Sequence, residues 1–167
     1  MARRRTSRSM RANVLLLSNE GDSLPCDPNT VRQWFREYET NFFMSSIRFA
    51  QNALYVLRNP ESAERHGTAS SNVYYLERES YAYAIMLEFA EFLGIDRLID
   101  PGRLAQAQRR ADKLREIVAG LNEQIIRKTS LSNVKWGSAS YSEETKAYFA
   151  RLADIEQDVQ ALLPRIG

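Results

Sequence analysis

Two residue types that often carry chemistry are scarce in this chain of 167 residues, which has one cysteine, Cys26, and one histidine, His66. A single cysteine cannot form an intramolecular disulfide, and one histidine supplies neither a zinc cluster nor a His-based triad with an obvious partner. No apolar run approaches the ~20 residues that cross a bilayer. The sequence therefore excludes a disulfide scaffold and a membrane span, and we expect neither a metal nor a cofactor.

The remaining composition is that of an ordinary globular domain, 44% hydrophobic and 26% charged. Glycine and proline are few, and apolar residues recur at helical spacing from Val31 almost to the end, without the alternation typical of strands. We therefore predict an all-α fold, an antiparallel up-down four-helix bundle over residues 29–167, preceded by a flexible basic arm and linker at 1–28. The predicted helices span about 30–58, 72–94, 101–128 and 142–163.

Capping residues place two of the helix starts. Asp100 followed by Pro101 is expected to begin the third helix, because the proline lacks only an N–H that would have no intrahelical partner. Ser140 with Glu143, or Ser142 alone, is expected to cap the fourth.

The first predicted helix is unusually aromatic and has two adjacent apolar faces. One face includes Phe35 and Phe42, and the other includes Phe43 and Ile47. One neighbouring helix cannot cover so wide a surface. Either this helix is central to the bundle, or one of its faces meets another subunit.

The small net charge of +2 hides an uneven distribution. Residues 1–12 contain five arginines and no acid, a balance of +5. Residues 59–96 have two basic and seven acidic side chains, a balance of −5, whereas residues 97–128 have eight basic and four acidic, a balance of +4. The last two segments are expected to pair within one molecule or across a subunit contact.

The N-terminal arginines form an acid-free strand that can neutralise phosphates and release counterions, the main source of sequence-independent affinity for nucleic acid. An inert solubilising tail and an organellar targeting peptide have the same composition, and both alternatives stay open. The candidate binding residues of this arm are Arg3, Arg4, Arg5, Arg8 and Arg11.

The third predicted helix carries a second candidate site. Arg103, Arg110 and Lys113 share one exposed face, with Arg109 beside them, and such a row can follow a phosphate backbone. The alternatives are a solvated face, or pairing with carboxylates of the second helix, Glu77, Glu88 and Glu91.

The connection after the third helix combines the cations Arg127, Lys128 and Lys135 with Trp136. An exposed tryptophan between cations can stack on a base. The other interpretation is that Trp136 anchors its loop against the bundle.

Enzymatic activity is not expected. A di-iron bundle needs Glu-x-x-His pairs on two helices, which the sequence lacks. An Arg–His ribonuclease site needs both residues at helical spacing, whereas a proline and a connection separate Arg58 from His66.

The stretch from Tyr74 to Lys128, about a third of the chain, resembles part of a known family. It contains Leu76, Arg78-Glu79-Ser80, the Leu-Glu-Phe-Ala run at 87–90, Leu93-Gly94 and Gly120-Leu121-Asn122. These features are similar to the second half of the four-helix-bundle family of 23S rRNA intervening-sequence proteins and diversity-generating retroelement accessory proteins. That family's Ile-Pro-Ala-Asn-Ile-Ala-Glu-Gly type segment is missing. The resemblance implies a basic oligomer, often pentameric, that binds structured RNA or a reverse transcriptase.

A second likeness is to the rod-shaped plant-virus coat proteins, which also use a four-helix bundle. Here Arg109-Arg110-Ala111-Asp112 and the long helix that follows are similar to the RNA-proximal helix and loop of those proteins. This likeness implies self-assembly around RNA.

The sequence favours a non-enzymatic homo-oligomer that binds RNA or single-stranded nucleic acid. A nucleic-acid enzyme is a further candidate partner, and we expect no binding to a membrane. Two other functions stay open, a coat or nucleocapsid-type subunit that packages nucleic acid and a protein-protein adaptor that binds none. We expect a cytoplasmic location, with organellar targeting and a virion as alternatives.

Overall fold

A computed structural model describes residues 27–134 and 137–163, and this part of the chain forms five α-helices and no β-strand. The prediction of an all-α fold is therefore confirmed. Short 3₁₀ turns at Pro60–Ser62 and Ile95–Leu98 lie between helices. The helices are α1 Pro28–Arg58, α2 Ala63–His66, α3 Ala69–Phe92, α4 Pro101–Leu131 and α5 Ala139–Leu162. The proposed arm at residues 1–26 lies outside the described residues.

Side-chain caps explain why some helices begin where they do. Asp100 Oδ1 accepts hydrogen bonds from the amides of Gly102 at 2.8 Å and Arg103 at 3.2 Å, so α4 begins at Pro101 as predicted. Ser138 Oγ accepts from the amide of Tyr141 at 3.2 Å, so α5 begins at Ala139. The prediction that Ser140 or Ser142 caps this helix is therefore wrong.

Three other boundaries differ from the sequence-based expectation. α1 begins at Pro28, since proline is accepted at the first position of a helix. α4 continues to Leu131, since no residue before that position interrupts the helix. α3 begins at Ala69, since Thr68 Oγ1 accepts from the amide of Ser71 at 3.0 Å. The one-turn helix α2 was not predicted, and His66 is its last residue.

The aromatic helix α1 is central to the fold. It contacts each of the other long helices, most extensively α3. Both of its apolar faces are buried, including Phe35 and Phe42 on one side and Phe43 and Ile47 on the other. Of the two alternatives for this helix, the contacts therefore favour the central position.

Contacts along the helices show their relative directions. Glu39 of α1 meets Tyr83 of α3, while Phe49, ten residues later, stacks on Tyr75, with ring centroids 5.4 Å apart. The order is reversed between the two helices, so α1 and α3 are antiparallel. α4 and α5 approach closely at Gly120, where an added Cβ would stand 3.1 Å from Ile155 Cδ1.

The outer side of α3 differs from its inner side. Large aromatic side chains lie exposed there, with 62% of Tyr74, 68% of Tyr81 and 83% of Phe92 accessible. The inner side carries Leu76 and Tyr83, which are fully buried. No helix within the described ranges is both long and apolar enough to cross a bilayer.

Candidate nucleic-acid interface

α1, the turn at 95–98 and the start of α4 together enclose a cleft of about 150 Å³ at one end of the molecule. We call it the arginine cleft, because three of its seven lining residues are arginines. Its floor is apolar, and its remaining polar residue is a carboxylate. The lining residues are Arg32, Phe35, Arg36, Leu98, Ile99, Asp100 and Arg103.

Two of the arginines come from successive turns of α1. Arg32 Nε donates to the carbonyl oxygen of Leu98 at 2.7 Å and Nη1 donates to Asn29 Oδ1 at 2.9 Å, which fixes its guanidinium at the wall of the cleft. Arg36 stands four residues later and is exposed. Residues spaced by four lie on the same helix face, so both cations border the same space.

The single carboxylate of the cleft is engaged by backbone amides of α4. Asp100 caps α4 and accepts the amides of Gly102 and Arg103. A carboxylate at a helix N-terminus is stabilised by those amides and by the helix dipole. The cleft therefore presents an excess of positive charge above an apolar floor.

Arg103 connects the cleft to the interior. Its Nη2 lies 3.5 Å from Glu39 Oε2, and 37% of its side chain is exposed. Its Nε is buried and has no hydrogen-bond partner within the described part of the chain. Arg103 therefore lines the cleft with Arg32 and Arg36 while its guanidinium approaches Glu39.

Behind the cleft lies a buried polar cluster around Glu39, which we call the Glu39 cluster. Glu39 is 2% exposed and accepts hydrogen bonds from Tyr83 Oη at 2.9 Å and Arg110 Nη1 at 3.0 Å. Arg110 also lies over the ring of Phe43, with its Cζ 4.2 Å from the ring centroid. A buried carboxylate is tolerated only when it is paired in this way.

The cluster also acts on the tyrosine. Burial, followed by the adjacent charge of Glu39, raises the pKa of the Tyr83 phenol above its ordinary value. Both effects disfavour a second negative charge beside a buried carboxylate. Tyr83 therefore stays protonated and serves as a hydrogen-bond donor rather than as a base.

The structure corrects the expected arrangement of the third-helix cations. Arg110 is turned inward to Glu39, so it does not share an exposed face with Arg109, which is exposed. Lys113 contacts Glu116 Oε2 at 2.8 Å and Asp158 Oδ1 at 3.2 Å. Hydrogen bonds first to Glu116 and then to Asp158 raise the pKa of Lys113. The expectation of one exposed row is wrong.

The alternative prediction, that these cations pair with carboxylates of α3, is also wrong, because none of their ion pairs among the described residues involves α3. Their partners are Glu39 of α1, Glu116 of α4 itself and Asp158 of α5. The α3 carboxylates Glu77, Glu88 and Glu91 take part in none of the ion pairs formed among the described residues.

Two of the cations expected in the connection, Arg127 and Lys128, lie within α4 and are partly buried. Arg127 Nη2 lies 3.5 Å from Glu123 Oε1, one helical turn earlier. Partial burial lowers the pKa of Lys128, against the opposing effect of Glu61. Lys135 and Trp136 lie outside the described residues, as do Arg3, Arg4, Arg5, Arg8 and Arg11.

His66 lies away from the cleft, edge-on to the ring of Tyr55 with centroids 5.2 Å apart. Within residues 27–134 and 137–163, no three His, Cys, Asp or Glu side chains are grouped so that they could hold a metal ion.

Sequence reasoning missed Arg32, Arg36, Glu39 and Tyr83. A signal for Glu39 was present, since it stands four residues after Phe35 and three before Phe42, within an otherwise apolar stripe. A carboxylate in such a stripe requires a buried cation or donor. No comparable signal marked Arg32, because its partner is a backbone carbonyl 66 residues away.

No protein-family model, curated protein or solved structure matches the chain. The resemblances to the intervening-sequence family and to the plant-virus coat proteins therefore stay predictions.

Proposed function

We propose that this protein is a non-enzymatic homo-oligomer that binds RNA or single-stranded nucleic acid, and that the arginine cleft holds a phosphate of the bound strand. The observation that carries the proposal is the convergence of Arg32, Arg36 and Arg103 above an apolar floor. Guanidinium groups match phosphate oxygens in charge and in geometry, and the apolar floor suits the flat face of a sugar or base.

The position of the cleft supports a role for the N-terminal arginines. α1 begins at Pro28, and its first turns line the cleft through Arg32. The described part of the chain therefore begins beside the cleft arginines. We propose that Arg3 to Arg11 contact the same strand, so that both groups contribute to the salt dependence of binding.

The assignment of binding residues on α4 narrows accordingly. Arg110 and Lys113 are engaged by carboxylates, so releasing them for a phosphate would break existing ion pairs. Arg103 lines the cleft with 37% of its side chain exposed and lies 3.5 Å from Glu39, farther than Arg110, and Arg109 is exposed. We therefore assign phosphate contact to Arg103 and Arg109, and a structural role to Arg110 and Lys113.

We further propose that the four long helices form an antiparallel up-down bundle. Consecutive long helices are neighbours, with contacts between α1 and α3, α3 and α4, and α4 and α5, and α1 contacts both α4 and α5. Contact between consecutive helices is expected when each long helix returns beside the previous one.

The test is fluorescence anisotropy of a labelled oligoribonucleotide with the full chain over a salt series. The Arg32→Ala, Arg36→Ala double variant is expected to weaken binding at least about tenfold and to lower the salt slope by about 1.4, the value for two phosphate contacts on a single strand. Replacing the five N-terminal arginines by alanine should lower it by about 3.5.

The matched control removes the same charge elsewhere, with the exposed pair Arg115→Ala and Lys146→Ala on α4 and α5. This control should leave the affinity within about twofold. Equal losses in both double variants would mean that net charge alone matters, and an unchanged slope in the cleft variant would overturn the assignment of the cleft.

A further inference from the structure

The outer side of α3 is an apolar and charged surface without a neighbour in the described part of the chain. We call the surface formed by Tyr74, Arg78, Tyr81, Ile85, Glu88 and Phe92 the α3 stripe. Five of these residues are exposed and Ile85 is partly so. At 100° per residue, all six lie within about 40° of one line along the helix.

The spacing of the α3 stripe alternates between four and three residues. This is the pattern with which one helix packs against another in a coiled coil. The inner side of α3 is occupied by the protein's own core, including Leu76, Tyr83 and Leu87. α3 therefore carries two packing surfaces, and among the residues that the structure describes only the inner one is covered.

The α3 stripe is symmetric about position 83. Tyr74 and Phe92 are equally distant from that position, as are Arg78 and Glu88, and Tyr81 and Ile85. If a second α3 lies antiparallel across a two-fold axis, each member of these pairs faces the other member on the partner copy. A two-fold interface requires this kind of self-complementary surface.

We propose that a second copy of this chain packs on the α3 stripe, with the two α3 helices antiparallel. Arg78 of each copy pairs with the partner subunit's Glu88, so two ion pairs flank a centre of Tyr81 against Ile85. Tyr74 covers the partner subunit's Phe92 at both ends. This inference rests on the homo-oligomer part of the proposed function and specifies its interface.

The size of the surface agrees with this occupant. A large aromatic side chain buries about 150–250 Å². The α3 stripe carries three such residues that are 62–83% exposed, namely Tyr74, Tyr81 and Phe92. Pairing two stripes, with Arg78, Ile85 and Glu88 between the rings, covers on the order of 1,000 Å² in total, about the minimum for a specific interface.

Charge argues against a nucleic-acid occupant. Glu77, Glu88 and Glu91 are exposed on and beside the α3 stripe, whereas Arg78 is the only cation of the helix. A phosphate backbone would meet carboxylates along most of this surface. The same carboxylates would accept the basic N-terminal segment, so that segment is the competing occupant that the experiment must detect.

The experiment exchanges the two charges of the predicted ion pair. In the full chain, Arg78→Glu sets carboxylates against one another and Glu88→Arg sets guanidiniums against one another. Each single variant is expected to raise the dimer dissociation constant about tenfold or more, measured by sedimentation equilibrium. The double variant restores opposite charges and should return the constant to within about threefold of the parent.

An ion pair between positions 78 and 88 of the same chain cannot explain the recovery in the double variant, because positions ten residues apart on a helix are separated by about 15 Å. Mixing the two single variants adds a stricter test. Both ion pairs are restored in the mixed dimer, which should form in preference to either parent dimer. Arg115→Glu and Glu144→Arg, exposed on α4 and α5, serve as control reversals without effect on the dimer.

Photocrosslinking identifies the occupant directly. Tyr81→p-benzoylphenylalanine should crosslink to α3 of a second copy, whereas Phe149→p-benzoylphenylalanine on α5 should not. A monomer at all concentrations, a dimer indifferent to both reversals, or a crosslink to residues 1–26 would overturn the proposal. If the dimer forms as proposed but the anisotropy assay detects no oligonucleotide binding, only the nucleic-acid proposal fails.

Discussion

α3 and α4 are consecutive helices with opposite charge, yet they place that charge in opposite ways. α4 turns Arg103 and Arg110 inward to a carboxylate of α1. α3 keeps Glu77, Glu88 and Glu91 on the surface beside exposed aromatic rings. The two helices contact one another, but their charges do not pair. Opposite net charge on neighbouring segments therefore does not determine ion pairs, since the face that each side chain occupies decides which partners it reaches.

The strongest way to test this contrast is to remove one carboxylate from each environment. Glu39→Ala leaves the partly buried Arg110 and Arg103 without their shared anion, and should lower the free energy of unfolding by about 3 kcal/mol. Glu77→Ala, on the exposed side of α3, should change it by less than about 0.5 kcal/mol. Urea unfolding measures both, and equal effects would contradict the distinction between the two helices.

The second prediction concerns alkaline pH and the buried tyrosines. Burial raises the pKa of Tyr148 to about 12, and its hydroxyl donates to the carbonyl oxygen of Leu57 at 3.0 Å. In the unfolded chain the phenol ionises near its ordinary value of about 10. Stability from this group is therefore complete below pH ~10 and is lost as pH rises toward 12, on the order of 2 kcal/mol.

Comparing Tyr148→Phe with its parent between these pH values checks the prediction, because the variant lacks this contribution to the pH dependence. Absorbance titration adds a second measurement, in which Tyr83 should ionise only on unfolding. Ionisation of every tyrosine before unfolding would contradict the burial of Tyr83 and Tyr148.

The smallest effect is expected at Gln124 of α4, which is fully buried. Neither its amide nitrogen nor its amide oxygen has a hydrogen-bond partner among the described residues. Gln124→Leu should therefore raise the free energy of unfolding by about 1–2 kcal/mol, since an apolar side chain avoids the desolvation penalty. Gln106→Leu, exposed on the same helix, is the control. A loss of stability at Gln124 would contradict the expected penalty for its unpaired amide.

The sequence predicted the helices better than their contacts, for a physical reason. Apolar spacing and caps such as Asp100 act within a few residues, so they can be recognised locally. The interactions that build the cleft and the Glu39 cluster join residues far apart in the chain. Arg110 is 71 residues from Glu39, and Arg32 is 66 residues from Leu98.

The same limit explains the error at α4. Charges at steps of three and four correctly indicated one side of a helix, but they did not indicate whether that side faces solvent or a buried carboxylate. The position of Glu39 in the sequence could have indicated that they face inward, because a carboxylate in an apolar stripe predicts a cation that is directed toward it. The start of α5 was missed by three residues because three serines stand near it, and the sequence does not distinguish Ser138 from Ser140 or Ser142.

The Glu39 cluster also has a consequence for how α4 finds its place during folding. Hydrophobic packing alone tolerates a slide of one helical turn, because apolar residues recur every three or four positions. A slide of four residues would set Ala107 and Leu114 where Arg103 and Arg110 stand. Glu39 would then be buried without a cation, so this misaligned state is disfavoured by its charge rather than by its shape.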